Sequence, residues 1–169
     1  MHSAFATVVF SHGMESGPWG SKITAMAAVA RELGCAVVSV DFQGINDPRV
    51  RVDKLIAVGR TLSGAVALVG SSMGGHVSAA AARPLQARGL FLLAPAFYMP
   101  GYEAFTPLDP GCPAAIVHGW SDDIVPIENS IRWAREHRAA LHIVDSDHRL
   151  QNRIAEICLI LSAFLRAPA

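Results

Sequence analysis

Six short apolar runs alternate with helix-like patterns along this 169-residue chain. Each run is apolar at consecutive positions, which is typical of strands that helices cover on both faces of a parallel sheet. Helical spacing of apolar residues fills the stretches between the runs. We therefore predict an α/β fold: a doubly wound, mostly parallel six-stranded sheet with helices on both faces. The predicted strands are 5–11, 36–41, 65–70, 89–95, 113–119 and 140–145.

Composition narrows the class of protein. Hydrophobic residues make up 51% of the chain and charged residues 17%, which excludes a disordered chain, and the length predicts one domain over residues 1–169. The formal net charge is zero and no basic run occurs, which argues against nucleic acid or an anionic membrane as a partner. We expect no signal peptide and no membrane span. Three widely spaced cysteines indicate a reducing compartment, so we expect a cytoplasmic protein.

The stretch "VGSSMGG" places a G-x-S-x-G pattern between the third predicted strand and the helix that follows it. A serine on so tight a turn takes a strained backbone conformation that raises its hydroxyl above the sheet. Gly70 and Gly74 are explained if a Cβ at either position would clash with neighbouring backbone. Ser72 is therefore the candidate nucleophile, whereas Ser71 lacks glycines at these offsets. The amide of Met73, at the helix N-terminus, is a candidate oxyanion donor.

A nucleophilic serine needs a base, and the base needs an orienting group. His148 follows the last strand and is the candidate base; the alternative is a surface histidine beside a helix start. Asp122 follows the fifth strand and is the candidate orienter, with Asp123 as its rival. The resulting chain order, Ser–Asp–His, is the one used on sheets of this kind. Asp147 lies too close along the chain to reach around the histidine easily.

The first predicted strand leads into "SHGMESGPWGSK". Gly13 would let this loop approach Ser72, so the amide of Met14 is the second candidate oxyanion donor. His12 is expected to hold this loop by hydrogen bonds, and His118 is expected to do the same after the fifth strand. The "GSK" at 20–22 lacks the rest of a phosphate-binding loop, which argues against a flavodoxin-like nucleotide-binding domain.

Four motifs in this order, "SHGMESGP", "GSSMGG", "HGWSDDIVP" and "DH", resemble the α/β-hydrolase superfamily, in particular its small bacterial members of dienelactone-hydrolase-like type. The resemblance covers almost the whole chain and implies Ser72 as nucleophile, His148 as base and Met14 as an oxyanion donor. The family pattern H-G-x-x-D-x-x-V-P implies Asp122 rather than Asp123. Dienelactone hydrolases use a cysteine nucleophile, so lactone specificity is not implied.

The resemblance also bears on size and substrate. Segment 96–112 is too short for the helical cap that many members insert, so we expect a minimal fold without a cap domain. Four aromatic residues are candidates for substrate contacts, with ordinary packing as the alternative: Trp19, Phe97, Tyr98 and Trp120. We expect a serine hydrolase that cleaves a carboxylic ester or thioester of a small to medium acyl substrate and uses no cofactor or metal. The alternative is a non-catalytic scaffold of the same fold that binds a partner or small ligand.

Overall fold

The computed structural model describes residues 3–167 and contains a six-stranded sheet in which every pair of neighbouring strands is parallel. The strand order is β2-β1-β3-β4-β5-β6. This confirms the predicted fold class. The strands are β1 (Thr7–Ser11), β2 (Ala36–Val40), β3 (Val66–Ser71), β4 (Gly89–Leu93), β5 (Ala114–Gly119) and β6 (Ala140–Val144).

Within residues 3–167, five α-helices connect and follow the strands, and the start of the second helix matches a local sequence signal. Asp47 accepts a hydrogen bond from the amide of Arg49 at 2.8 Å, and Pro48 takes the first helical position of the second helix. The last helix begins after a short 3-10 turn (Gln151–Arg153), which follows Leu150 with its left-handed backbone. The helices are α1 (Ser21–Glu32), α2 (Pro48–Gly59), α3 (Met73–Ala82), α4 (Ile127–His137) and α5 (Ile154–Arg166).

The helices cover both faces of the sheet, and each face has its own core. Buried residues of α1 and α5 pack on one face, around Phe10 and Phe91. Buried residues of α2, α3 and α4 pack on the other face, around Leu68 and Leu92. Strands β3 and β4 lie in the middle and are buried nearly throughout. This double cover is what their uninterrupted apolar sequences predict.

The two edge strands depart from the expectation of full burial. Both β2 and β6 begin with an exposed residue, continue with three partly exposed residues and become buried only at their last residue. Each has a neighbouring strand on one side alone, so helices and loops shield it less completely.

The strand order places a switch point between β1 and β3. The chain leaves β1, forms β2 on one side of it and returns to form β3 on the other side. In open α/β sheets, ligands bind beyond the carboxyl ends of the strands at such a point. Segment 94–113, between β4 and β5, contains one 3-10 turn (Glu103–Phe105) and forms no cap domain over this edge. Within residues 3–167, no helix has the length and apolar character that crossing a membrane requires.

Candidate active site

Ser72 is the single residue between the end of β3 and the start of α3. Its backbone has φ 55° and ψ −121°, a conformation that residues with a side chain rarely adopt. Four backbone hydrogen bonds hold it there, one of them the 3.3 Å bond from the amide of His76 to the carbonyl of Ser72. Its amide donates to the carbonyl of Leu93 at 2.9 Å, and its carbonyl accepts from Gly75 at 2.9 Å and from Ala96 at 3.0 Å. The strained turn predicted at this serine is therefore present.

Gly70 and Gly74, two residues before and after Ser72, have no room for a side chain, because neighbouring backbone atoms occupy the space that a Cβ would take. A Cβ on Gly70 would lie 2.6 Å from the carbonyl carbon of Gly74 and would overlap its oxygen. A Cβ on Gly74 would overlap the carbonyl of Ser11 and lie 2.7 Å from the carbonyl oxygen of His12. The G-x-S-x-G spacing is thus a packing requirement that brings the ends of β1 and β3 together around Ser72.

Ser72, His148 and Asp122 form a linked row, although 76 and 26 residues separate consecutive members. The Nε2 atom of His148 lies 3.0 Å from Ser72 Oγ. Its Nδ1 atom lies 2.7 Å from Asp122 Oδ2. In the tautomer that fits both contacts, Nδ1–H donates to the carboxylate and Nε2 accepts from the serine hydroxyl. Asp123, the rival orienter, is exposed to solvent.

The carboxylate of Asp122 is completely buried and accepts four hydrogen bonds. The amides of Ile124 and Val125 donate to Oδ1 at 2.9 and 2.8 Å. His148 and His118 approach Oδ2 at 2.7 and 2.9 Å. Burial by itself would raise the pKa of Asp122, but the histidine and backbone hydrogen bonds outweigh it and hold the pKa well below its ordinary value. Asp122 is therefore an anion at neutral pH.

His118 is a second, fully buried partner of this carboxylate. Its Nδ1 atom lies 2.7 Å from Ser130 Oγ, and its Nε2 atom lies 3.1 Å from the carbonyl oxygen of Val125. Since the carbonyl and the carboxylate both accept, Nε2 carries the proton and Nδ1 accepts from the serine hydroxyl. His118 thus fixes the loop that carries Asp122, the role expected for it from the sequence.

The loop after β1 passes directly beside Ser72. A Cβ on Gly13 would lie 3.5 Å from the Cβ of Ser72. The amide of Met14, which follows Gly13, and the amide of Met73, at the start of α3, donate no hydrogen bond to any of residues 3–167. Two free donors therefore border the serine, on the two segments that the sequence indicates.

Buried polar side chains hold this loop in place. His12 accepts a hydrogen bond from the amide of Phe42 at Nε2, 2.8 Å away, so its Nδ1–H donates to the carbonyl of Gly13 at 2.7 Å. Burial lowers the pKa of His12, which keeps the neutral form that this arrangement requires.

Arg51 completes the support of the loop, and the sequence reasoning missed it. Its guanidinium is buried and donates to the carbonyls of Ile45, His12 and Gly13 at 2.6, 3.2 and 3.3 Å. Burial lowers its pKa. The available signal was its position: residues 51, 55 and 59 form the buried stripe of α2, and an arginine on such a stripe needs buried acceptors.

Lys22 is the second residue that the sequence reasoning missed. It lies in the first turn of α1, and its Nζ atom donates to Ser71 Oγ at 3.3 Å, one residue before Ser72. Burial lowers its pKa to about 8, although Asp147 and Asp122 act in the opposite direction. The available signal was again position, because a helix that follows β1 begins at the carboxyl edge of the sheet.

The four predicted substrate contacts do not gather at Ser72. Phe97 is completely buried and stacks on Trp133 with ring centroids 4.9 Å apart, so ordinary packing accounts for it. The hydroxyl of Tyr98 donates to Glu136 at 2.7 Å, in the last turn of α4 and away from the carboxyl edge. Trp19 lies under the guanidinium of Arg31, 5.6 Å away at the far end of α1.

Of these four residues, Trp120 alone stands free at the carboxyl edge, directly after β5 and 62% exposed. A separate open groove of about 770 Å³ lies between the start of α2 and segment 94–113. It reaches α3 at His76, one helical turn beyond Ser72, and the rings of Tyr102 and Phe105 form part of its wall. Residues 3–167 hold no group of three or more His, Cys, Asp or Glu side chains arranged to bind a metal ion.

Comparison with solved structures finds proteins of similar fold. A protein from Xanthomonas campestris pv. campestris, assigned to the hydrolases of the α/β superfamily, is 32% identical, with a TM-score of 0.87 over 95% of this chain and 98% of that chain. A second protein from Xanthomonas campestris, described as an α/β serine hydrolase without lid, is 23% identical, with a TM-score of 0.81 over 100% of this chain and 85% of that chain.

Est1E from Butyrivibrio proteoclasticus is 19% identical, with a TM-score of 0.79 over 94% of this chain and 86% of that chain. Below 25% identity the similarity shows the fold alone. No curated protein matches the sequence. The model of the alpha/beta hydrolase family matches residues 8–168, nearly the full length. The chain therefore belongs to the α/β-hydrolase family.

Proposed function

We propose that the protein is a serine hydrolase that cleaves a small carboxylic ester or thioester through an acyl-enzyme. The observation that carries this proposal is the continuous row Ser72–His148–Asp122, with contacts of 3.0 and 2.7 Å. Hydrogen bonds in this range are what a base needs in order to take the proton of a serine hydroxyl. The row ends at a serine whose strained turn directs the hydroxyl to the open edge of the sheet.

Each group has a defined part in the proposed reaction. Ser72 Oγ bonds to the substrate carbonyl carbon while its proton passes to Nε2 of His148. The buried anion of Asp122 keeps the Nδ1–H tautomer and stabilises the imidazolium that forms. The amides of Met14 and Met73 donate to the oxyanion, each worth about 10²–10³ in turnover.

The tetrahedral intermediate then collapses: its bond to the leaving oxygen or sulfur breaks, and that atom takes the proton from Nε2 of His148. Water next attacks the acyl-enzyme: His148 accepts a proton from it, the acid is released and Ser72 recovers its proton. The route needs only groups that the chain itself supplies. Est1E, which shares the fold, has also been solved with ferulic acid bound, so this fold holds a small carboxylic acid in that protein.

Trp120 is the proposed substrate contact, and a small-molecule ester is the proposed partner. We also propose a cytoplasmic location, because all three cysteines are free thiols.

Labelling with a fluorophosphonate probe, which reacts with activated serines, tests the proposal directly. We expect the wild-type protein to be labelled and to hydrolyse 4-nitrophenyl butyrate, and Ser72→Ala to lose both properties. Ser71→Ala is the matched control, since it removes the neighbouring hydroxyl and must remain labelled. Absence of labelling in a folded wild-type protein would instead favour the non-catalytic scaffold that binds a ligand without turnover.

A further inference from the structure

A cationic side chain with spare hydrogen-bonding capacity lies next to the proposed nucleophile. The ammonium group of Lys22 has three donors, and among residues 3–167 its hydrogen-bond partner is Ser71 Oγ, 3.3 Å away. Ser71 immediately precedes Ser72, so the charge lies close to where a substrate carbonyl would bind. As a whole residue, Lys22 is intermediate in exposure, neither buried nor fully exposed.

Among residues 3–167, no carboxylate oxygen lies within 4.0 Å of this ammonium group. Asp147 and Asp122 are near enough to favour the ammonium form, but neither carboxylate forms an ion pair with Lys22 within 4.0 Å. Asp147 Oδ1 already accepts from the amides of Arg149 and Leu150, at 3.0 and 3.1 Å. Asp122 already accepts four hydrogen bonds. Burial outweighs both carboxylates and lowers the pKa of Lys22, so an additional anion would stabilise the ammonium ion.

We propose that Lys22 binds one carboxylate of the substrate, so that the preferred substrates are esters bearing a single carboxylate near the scissile bond. This inference rests on the proposed hydrolase function and names its substrate class. With two aspartates near the single ammonium, a monoanion is favoured over a phosphate dianion, because both aspartates repel the dianion about twice as strongly. Two of the three ammonium donors would then serve the ligand while the third stays on Ser71.

A purely structural part for Lys22 is the competing explanation. The hydroxyl of Ser21 donates to Gln151 at 2.8 Å, so the start of α1 is joined to the loop that carries His148. If Lys22 only braces these segments, its replacement weakens charged and neutral ligands equally. If it binds a carboxylate, its replacement changes the ratio of the two affinities.

The test measures that ratio without turnover, in a Ser72→Ala background, by isothermal titration calorimetry. One ligand pair is 4-carboxyphenyl butyrate and its neutral amide, 4-carbamoylphenyl butyrate, which places the charge in the alcohol. The other pair is glutaric acid monophenyl ester and its amide, which places the charge in the acyl group. We compare Lys22→Gln, Lys22→Arg and Lys54→Gln, where Lys54 is the exposed lysine of α2.

We expect at least one carboxylate to bind about tenfold more tightly than its amide, as a charge-assisted hydrogen bond predicts. Lys22→Gln abolishes this preference, Lys22→Arg retains most of it and Lys54→Gln leaves it unchanged. Equal binding of both pairs to the protein with Lys22 intact, or a preference that survives Lys22→Gln, would overturn the inference. Labelling of Ser72 in the wild-type protein is scored separately, so failure of the hydrolase proposal is distinguishable from failure of this one.

Discussion

Replacement of Gly74 by alanine tests how the turn at Ser72 is built. The new methyl group would overlap the carbonyl of Ser11 and lie 2.7 Å from the carbonyl oxygen of His12. Both obstacles are backbone at the end of β1, so no side-chain rotation relieves the contact. Normal contact requires a displacement of roughly 1 Å, and overpacking of this kind costs about 1–3 kcal/mol. We expect the upper end of that range, because hydrogen bonds from Arg51 and His12 to the carbonyls of His12 and Gly13 resist displacement of the loop after β1.

The same displacement reaches the proposed chemistry. The end of β1 continues into Gly13 and Met14, whose amide is a proposed oxyanion donor. A misplacement of about 1 Å in an active site costs on the order of 10²-fold in rate. We therefore expect Gly74→Ala to lower kcat/KM for 4-nitrophenyl butyrate about 100-fold in a protein that still folds. Urea unfolding followed by tryptophan fluorescence measures the accompanying loss of stability.

Gly20→Ala is the matched control for Gly74→Ala. A Cβ at this position meets no heavy atom within 4 Å, and its backbone has φ −61°, which alanine adopts without strain. We expect its free energy of unfolding to stay within about 1 kcal/mol of the wild-type value. A Gly74→Ala protein with wild-type stability and a kcat/KM within threefold of wild type would show that the tight approach of β1 to α3 is not needed, and the reasoning would fail.

Three further changes probe the buried charges. Asp122→Asn should lower kcat/KM by about 10³–10⁴, since the tautomer of His148 is lost. The folded pKa of Asp122 lies below the ordinary 3.8, so the stability that this carboxylate contributes is complete above about pH 5 and declines below that pH. Between pH 5 and pH 3, the free energy of unfolding measured with urea should therefore fall less in the Asn variant than in the wild-type protein. Arg51→Met should cost about 1–3 kcal/mol because the buried carbonyls of His12 and Gly13 and the partly buried carbonyl of Ile45 lose a donor; a urea midpoint equal to wild type would contradict this. Lys22→Met should raise stability at pH 7 by about 1–2 kcal/mol, after a discount for its partial exposure. The difference in free energy of unfolding between variant and wild type should shrink from pH 8 towards 10.5, because in this range the folded wild-type protein has lost the lysine proton while the unfolded chain still holds it. A difference that does not change with pH would refute the assignment.

Local patterns account for most of the fold and for the linked row. Strand and helix positions follow from apolar runs and from caps such as Asp47-Pro48, because these signals act within a few residues. The choice of Ser72 over Ser71 follows from glycine spacing, which reflects contacts of the turn itself. The assignment of Asp122 over Asp123 needed the family resemblance, because nothing local distinguishes two adjacent carboxylates on one loop.

Side chains on the loops after strands were not predictable in the same way. Phe97, Tyr98 and Trp19 all follow a strand at the carboxyl edge, yet each packs on a helix instead of facing Ser72. A strand or helix has a period that assigns each residue to a face, whereas an irregular loop has none. Proximity in sequence to a strand end therefore locates a residue near the edge but leaves the direction of its side chain undetermined.

Arg51 and Lys22 show why charges at such a site escape pattern reading. Arg51 finds its acceptors on His12 and Gly13, 39 and 38 positions earlier in the chain, and Lys22 finds its partner on Ser71, 49 positions later. Neither set of partners can be predicted from the local sequence, because the contacts form only when the sheet brings the ends of β1 and β3 together. Yet burying a cation is costly, so one that occurs on a helix's apolar stripe or in a first turn at the carboxyl edge must be serving something nearby. For Arg51 that is the backbone of the loop; for Lys22, with donors to spare, it is the proposed substrate.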